Sequence, residues 1–213
     1  MAGGALGQVP LPMQTMLHIA VDNSNKLSQL INDLLDIDKL VAGKMQFDFT
    51  TCSMLDLVRQ SIEHNQPYAD KYQASIDLSA SDDVAVLLDP MRFHQIMANL
   101  LSNAAKFSPT GSKISVTLSQ TDTEVVVSIQ DQGPGISPEF QHRMFEKFSQ
   151  ADSADARSKD GTGLGLAIVK ELTERMHGRI TFQTSERSGT CFFLHFPKQT
   201  AASALQTNAI LVV

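Results

Sequence analysis

The chain has 213 residues, with 17 Lys and Arg against 23 Asp and Glu, for a formal net charge of -6. That balance speaks against a nucleic-acid or membrane-surface binder, since both need clustered positive charge. Cys52 and Cys191 form neither a CxxC pair nor a zinc spacing, no apolar run approaches the ~20 residues of a membrane span, and Met1-Ala2-Gly3-Gly4 lacks the features of a signal peptide, so a soluble, cytoplasmic chain without a disulfide scaffold is expected.

Residues 1–16 are rich in Gly and Pro and read as loop. From 16 to 44 the pattern is helical. Met16, Asn23, Leu30 and Ile37 fall seven apart, as do Ala20, Leu27, Leu34 and Val41, giving a heptad seam with one polar break at Asn23. Ile31 and Leu35 widen the stripe towards a bundle, and Gly43 is a stop signal. So long a helix is not stable alone. It packs either on the body of the chain or in a dimeric bundle, and the broad stripe favours the bundle.

Residues 45–49 alternate like an edge strand. A helix opens near Ser53, a capping residue type, and is expected to kink or end at Pro67. Segments 75–78 and 84–88 read as short strands, and 90–106 as a helix with proline at a tolerated first-turn position. Segments 113–118 and 125–130 alternate as strands around a polar turn. A loop rich in Gly and Pro follows, then a short helix over 138–145 and a polar stretch over 149–160. A helix over 163–176 and strands over 179–184 and 190–196 come last. This order predicts an α+β fold, a two-layer α/β sandwich with helices on one face of a sheet, preceded by a long bundle helix. Residues 198–208 form a polar linker, and the apolar run 209–213 is either the opening of a further buried strand or a frayed terminus.

Three segments carry chemistry. In the first, Gln95, Asn99 and Asn103 lie four apart on one helix face, with Lys106 three further on. An amide oxygen can ligate Mg²⁺ and a lysine can meet phosphate oxygens, although alone such a row is equally a solvated face. The second, Asp131-Gln132-Gly133-Pro134-Gly135-Ile136, follows an apolar strand. Its glycines allow close approach of a ligand, and its carboxylate can accept from an exocyclic amine. Alone it is also a tight turn with a solvated aspartate. The third, Gly161-Thr162-Gly163-Leu164-Gly165-Leu166, opens a helix, where backbone N–H groups suit phosphate. Its spacing fits neither GxGxxG nor a Walker A loop, and the apolar helix behind it argues against a flexible linker.

Taken in this order, the segments make the chain resemble the catalytic and ATP-binding domain of hybrid-type sensor histidine kinases, within the ATPase superfamily shared with DNA gyrase. The first segment is similar to the family's N box, and residues 131–135 to its first glycine box. Phe145-Glu146-Lys147-Phe148 is similar to the F box, and residues 161–165 to the second glycine box. The resemblance covers roughly residues 17–197. It implies that Asn103 ligates Mg²⁺ bridging the ATP phosphates, supported by Asn99, with Lys106 on phosphate and Phe107 against the nucleotide. Asp131 would read the adenine amino group with Thr190 as a water-linked helper, and Gly133, Gly135 and Ile136 would shape that pocket. Gly161, Thr162, Gly163, Leu164, Gly165 and Leu166 would let a lid over 149–160 close on the phosphates. Lys147 would reach the terminal phosphate, and Gln150 stands where many members have arginine.

Hydrolytic members carry a glutamate where this chain has Asn99, and an amide cannot act as a general base. The resemblance therefore implies transfer of the γ-phosphoryl to a histidine in two-component signalling rather than hydrolysis. None of the six histidines, His18, His64, His94, His142, His177 and His195, has the context of the acceptor. His18 reads as an ordinary helix residue and His94 as positional. The implied organisation is an inter-helix loop over 1–16 and the second dimerisation helix over 17–44. The catalytic ATP-binding domain then covers 45–197, and a linker with the start of a truncated receiver domain covers 198–213. The acceptor helix would precede the chain, so the isolated chain is expected not to phosphorylate itself. Expected partners are ATP, a dimerisation helix of the same or a partner protomer, and a receiver domain or response regulator. The parent is expected to be a homodimer that binds no nucleic acid. The competing readings are a non-catalytic regulatory module, which degraded boxes would favour, and a hydrolytic ATPase, which Asn99 disfavours.

Overall fold

The computed structural model describes residues 10–150, 161–185 and 188–199. The expected lid beyond Gln150 and the expected linker and receiver strand beyond residue 199 lie outside the described residues. The chain divides into two compact units, Met1–Met45 and Gln46–Val213.

The first unit is one helix, α1 (Leu11–Val41). It opens five residues before the heptad seam, within the segment whose Gly and Pro content predicts loop. Pro10 takes the cap position and a second proline sits in the first turn, where a missing N–H costs nothing. At the other end Gly43 has φ +64. Its N–H bonds Leu40 O at 3.1 Å and that of Lys44 bonds Lys39 O at 2.9 Å, the paired closure of a Schellman motif.

The second unit opens with β1 (Thr50–Ser53), which pairs antiparallel with β3 (Ala85–Leu88). The strand expected over 45–49 is thus displaced C-terminally. The backbone N–H of Asp48 is taken instead by the Asp89 carboxylate at 2.9 Å, and Phe49 stacks between Phe47 and His177. Helix α2 (Met54–Lys71) is capped by Ser53, whose Oγ accepts from Asp56 N at 3.0 Å. It runs on through Pro67 without ending there. Its buried positions lie on both sides of the proline, from Met54 and Val58 to Ala69, so packing outweighs the one lost backbone bond.

Next come β2 (Ser75–Ala80), β3 and α3 (Pro90–Phe107), the last capped by Asp89 through Arg92 N. Strands β4 (Lys113–Gln120) and β5 (Glu124–Gln130) form a hairpin. Helix α4 (Pro138–Gln141) is a single turn, shorter than the expected 138–145. Helix α5 (Gly165–Arg175) and the hairpin β6 (Arg179–Ser185) and β7 (Gly189–Pro197) complete the unit.

The main sheet has the order β2-β4-β5-β7-β6 and is antiparallel except for β2 and β4, which run parallel. Alternation sends Ile114, Val116, Leu118, Val127, Ile129, Leu194 and Phe196 to one face. There they are buried with Phe93, Ile96 and Leu100 of α3 and Ile168 and Leu172 of α5. The other face carries Ser115, Thr117 and Ser128, none of them buried. The architecture is the expected two-layer α+β sandwich. No described helix is long and apolar enough to cross a membrane.

Candidate functional site

The C-terminal half of α3 brings the first segment to the mouth of the helix layer. Ile96, Met97, Leu100, Leu101, Ala104 and Ala105 are buried and fix the roll of the helix, so Asn99 and Asn103 lie half-buried along the remaining face. Asn99 Nδ2 donates to Gln95 O at 3.1 Å, which orients its amide. Asn103 makes no side-chain hydrogen bond among the described residues, so its carboxamide is available to a ligand. Lys106 is buried, with Nζ 4.8 Å from the centre of the Phe107 ring.

The second glycine run meets this face. A Cβ on Gly165 would lie 2.8 Å from Asn99 Oδ1, and one on Gly161 would lie 3.3 Å from Lys106 Nζ. Gly163, at φ +70, packs against the backbone of Phe148, where a Cβ would come within 2.8 Å of the carbonyl carbon. The N-box helix, the end of the F box and the second glycine run therefore converge. Gln150 Nε2 donates to Gly161 O at 2.8 Å, pinning one border of segment 151–160 to the other. Within the run, Thr162 Oγ1 accepts from Leu164 N at 3.1 Å. Leu164 is buried as a core anchor, whereas Leu166 is half-buried. Lys147 is exposed.

Asp131 closes the other end of the site. Its Oδ1 accepts from Gly133 N at 2.8 Å and Thr190 N at 2.9 Å, while its own N–H bonds Thr190 O at 2.9 Å. Both carboxylate hydrogen bonds fall on Oδ1, which leaves Oδ2 for a ligand. Burial pushes the carboxyl above the ordinary carboxylate range, and the two backbone donors partly oppose that rise. A Cβ on Gly133 would sit 3.1 Å from both Asp131 Oδ1 and Phe107 O, so the first glycine box lies directly against the end of α3.

Residues that sequence patterns do not single out tie together the segments around this carboxylate. Thr184 Oγ1 lies 3.0 Å from Thr190 Oγ1 and accepts from Ile136 N at 2.9 Å, tying β6 and β7 to the glycine loop. Ser108 Oγ accepts from Gln132 N at 3.2 Å. Neither contact has a local signal, because each depends on which segments the fold places side by side. Gly189, at φ +74 against Asp131, does have one: a glycine between two polar residues at the turn into a strand.

His94 faces α2, next to Ser61 and His64. Ser61 Oγ gives its proton to Leu57 O at 2.7 Å, so at 2.7 Å from His94 Nδ1 it accepts from the ring. Burial and the neighbouring His64 hold the His94 pKa below the usual histidine value. Among the described residues there is no cluster of three His, Cys, Asp or Glu side chains fit to hold a metal ion. A divalent cation here would depend on a single amide, Asn103, and on oxygens brought by a ligand. That arrangement suits Mg²⁺ arriving on a nucleotide.

Known proteins resemble this chain in sequence and in fold. The profile of the family described as histidine kinase-, DNA gyrase B- and HSP90-like ATPase matches residues 88–200. The sensor histidine kinase RppB of Synechocystis sp. is 31% identical over 188 residues, covering 87% of this chain and 41% of RppB. The signal transduction histidine-protein kinase BarA of Escherichia coli is 36% identical over 180 residues, covering 81% of this chain and 20% of BarA. The chain thus spans less than half the length of these curated relatives. Among solved structures, full-length ShkA in complex with AMPPNP superposes with a TM-score of 0.76 at 28% identity, over 93% of this chain and 41% of that one. Sequence profile and fold agree: this chain belongs to the histidine kinase-, DNA gyrase B- and HSP90-like ATPase family.

Proposed function

We propose that the unit over residues 46–199 binds Mg-ATP and delivers the γ-phosphoryl group to a histidine carried on a helix outside this chain. Asp131 carries the reading: two backbone donors fix its Oδ1, and its Oδ2 is left to accept from the adenine amine. Lys106 and the N–H groups at the start of α5 face the phosphates, and Phe107 lies against the nucleotide. Gly133, Gly135 and Ile136 shape the base pocket, and Thr190 joins it through water. Asn103 would hold Mg²⁺, which when bound offsets phosphate charge. Lys147 on its exposed turn and the second glycine run, Gly161 to Leu166, serve the terminal phosphate and the closing segment over 149–160.

In the transfer, an imidazole nitrogen of the acceptor forms a bond to the γ-phosphorus as the bond to the bridging oxygen of ADP breaks. The imidazole proton leaves to solvent. The chain's part is positioning and charge, which suits phosphoryl transfer. Asn99 stands where a water-activating carboxylate would be needed, so water is a poor substitute for the imidazole. In the same reading α1 belongs to a dimerisation bundle of a homodimeric, hybrid-type parent, and a receiver domain or response regulator accepts the phosphoryl group next.

The test is calorimetric binding of AMPPNP with Mg²⁺. Asp131→Asn keeps an Oδ1 acceptor for Gly133 and Thr190 but loses the anionic oxygen. It should weaken binding by roughly tenfold to a hundredfold, the value of one charge-assisted hydrogen bond at about 1.5–3 kcal/mol. With radiolabelled ATP the isolated chain should stay unlabelled, and label should appear on a histidine-bearing helix supplied in trans. Label on the chain's own histidines would overturn the assignment of the acceptor.

A further inference from the structure

Two threonines meet beside Asp131. Thr184 of β6 and Thr190 of β7 are direct cross-strand partners, and alternation places both on the sheet face that carries Phe182 and Phe192. Their hydroxyl oxygens lie 3.0 Å apart, a contact in which either can donate. Thr190 is 3% exposed, and its hydroxyl has no other hydrogen bond among the described residues. Which threonine gives the proton decides what Thr190 offers a ligand, a hydrogen or a lone pair.

The surrounding bonds set that direction. A hydroxyl has one hydrogen and two lone pairs. Thr184 Oγ1 already accepts from Ile136 N at 2.9 Å. Its own hydrogen has two acceptors in reach, Thr190 Oγ1 at 3.0 Å and Gly189 O at 3.4 Å. O–H···O bonds run from about 2.5 to 3.0 Å, so the nearer oxygen takes the hydrogen. Reversing the pair would aim two donors at Thr184 Oγ1 and leave its hydrogen to the stretched contact with Gly189. Thr190 therefore accepts from Thr184, and its own hydrogen is left for a ligand, directly or through water. A buried hydroxyl hydrogen needs such an acceptor. The Asp131 carboxylate stands next to it, since Thr190 N donates to Oδ1 at 2.9 Å and Oδ2 is left over.

We infer that Thr184 sets the base specificity of the site by holding Thr190 as a hydrogen-bond donor. This role rests on the nucleotide reading above and deepens it. Asp131 offers an acceptor and Thr190 a donor. That pair complements the edge of a 6-aminopurine, which has an amine hydrogen and then the N1 lone pair. A 6-oxopurine has the opposite order, a carbonyl oxygen and then N1–H, so acceptor would face acceptor and donor would face donor. Buried polar groups left unpaired in this way discriminate more sharply than apolar contacts do. Thr184 touches no base and is a positioning residue that acts through Thr190.

Calorimetry with Mg²⁺ on the full chain tests this by comparing ADP with 1-deaza-ADP, which keeps the amine but has C–H in place of N1. The wild type should bind ADP roughly fivefold to tenfold more tightly, the effect of one neutral hydrogen bond. Thr184→Val, which keeps the shape without the hydroxyl, should bring the two affinities within about twofold of each other, and Thr184→Ser should restore the difference. A merely structural Thr184 would weaken both nucleotides together and leave their ratio unchanged, which overturns the inference. So does a wild type that binds ADP but does not distinguish 1-deaza-ADP, a result that needs no variant to fold. Asp131→Asn keeps the two proposals apart. If it weakens ADP while the wild-type ratio is near one, Asp131 reads the amine and the threonine relay fails. If ADP is indifferent to Asp131→Asn while Thr184→Val abolishes the ratio, the Asp131 assignment fails and the relay stands. A wild type that binds neither nucleotide overturns both.

Discussion

A Cβ built on Gly189 would lie 2.7 Å from Asp131 Oδ1 and press on the Asp131 carbonyl, in a backbone already at φ +74. Gly111 has φ +79 but open space around its missing side chain. The two glycines separate conformational strain from steric displacement. Gly111→Ala should cost about 1 kcal/mol, for the left-handed backbone alone, and leave AMPPNP affinity unchanged. Gly189→Ala should cost about 2–4 kcal/mol and also weaken AMPPNP, because the new methyl displaces the carboxylate. Thermal unfolding and calorimetry on both variants check this. The Asp131 carboxyl adds a pH dependence of known sign. Its folded-state pKa is raised by burial, so the folded protein binds more protons than the unfolded one between the two values. Stability of the free protein therefore falls as pH rises through that interval. In the proposed reading nucleotide affinity runs the other way, since an ionised carboxylate accepts from the adenine amine more strongly than a protonated one. It should decline on acidification at a pH above the ordinary carboxylate range. The same titration on Asp131→Asn should be flat over that interval, and an equally flat wild-type curve would mean that the carboxylate does not read the base.

At the scale of elements, Asp89 has two roles that sequence reading cannot join. As N-cap of α3 its Oδ1 accepts from Arg92 N at 3.1 Å, and its Oδ2 holds Asp48 N at 2.9 Å from forty-one residues away. A capping aspartate before Pro90 is a local pattern; the tie to Asp48 follows from tertiary placement. Asp89→Ala should therefore exceed the ~1 kcal/mol of an ordinary cap loss, and Asp89→Ser, which can cap but not bridge, should recover part of it in denaturant unfolding. The same division explains which elements were legible beforehand. Helix α3 and the hairpins β4–β5 and β6–β7 are carried by short-range period and turn chemistry. The displaced first strand, the passage of α2 through Pro67 and the parallel pairing of β2 with β4 are decided by contacts remote in sequence. Within the site, the amide row, Asp131 and the glycines were legible because chemistry demands them at fixed spacings. Thr184 and Ser108 were not, because only the tertiary arrangement brings Thr184 to Ile136 and Thr190, and Ser108 to Gln132.

For the whole molecule, α1 poses the remaining physical problem. Its 31 residues extend roughly 46 Å at 1.5 Å per residue. Along them Met16, Leu27, Ile31, Leu34 and Leu35 remain 45–71% exposed. Contiguous apolar surface of this kind on a helix marks an interface, since helical propensity does not offset leaving it in water. The charged residues Asp22, Lys26, Asp36 and Lys39 fall between the apolar positions, as on the outer faces of a bundle helix rather than a buried one. The chain should therefore associate reversibly through this face, with a concentration-dependent sedimentation coefficient. Leu27 and Leu34 lie one heptad apart on the same face, so Leu27→Lys with Leu34→Lys sets four charges, two on each helix, against one another across a two-fold contact. That double variant should sediment as a monomer over the same range and bind AMPPNP with unchanged affinity, because the residues proposed to hold nucleotide all lie in the other unit. A wild-type chain that stays monomeric throughout would mean that the face waits for a different helix, and the acceptor-bearing helix added in trans should then form a complex that the same two substitutions abolish.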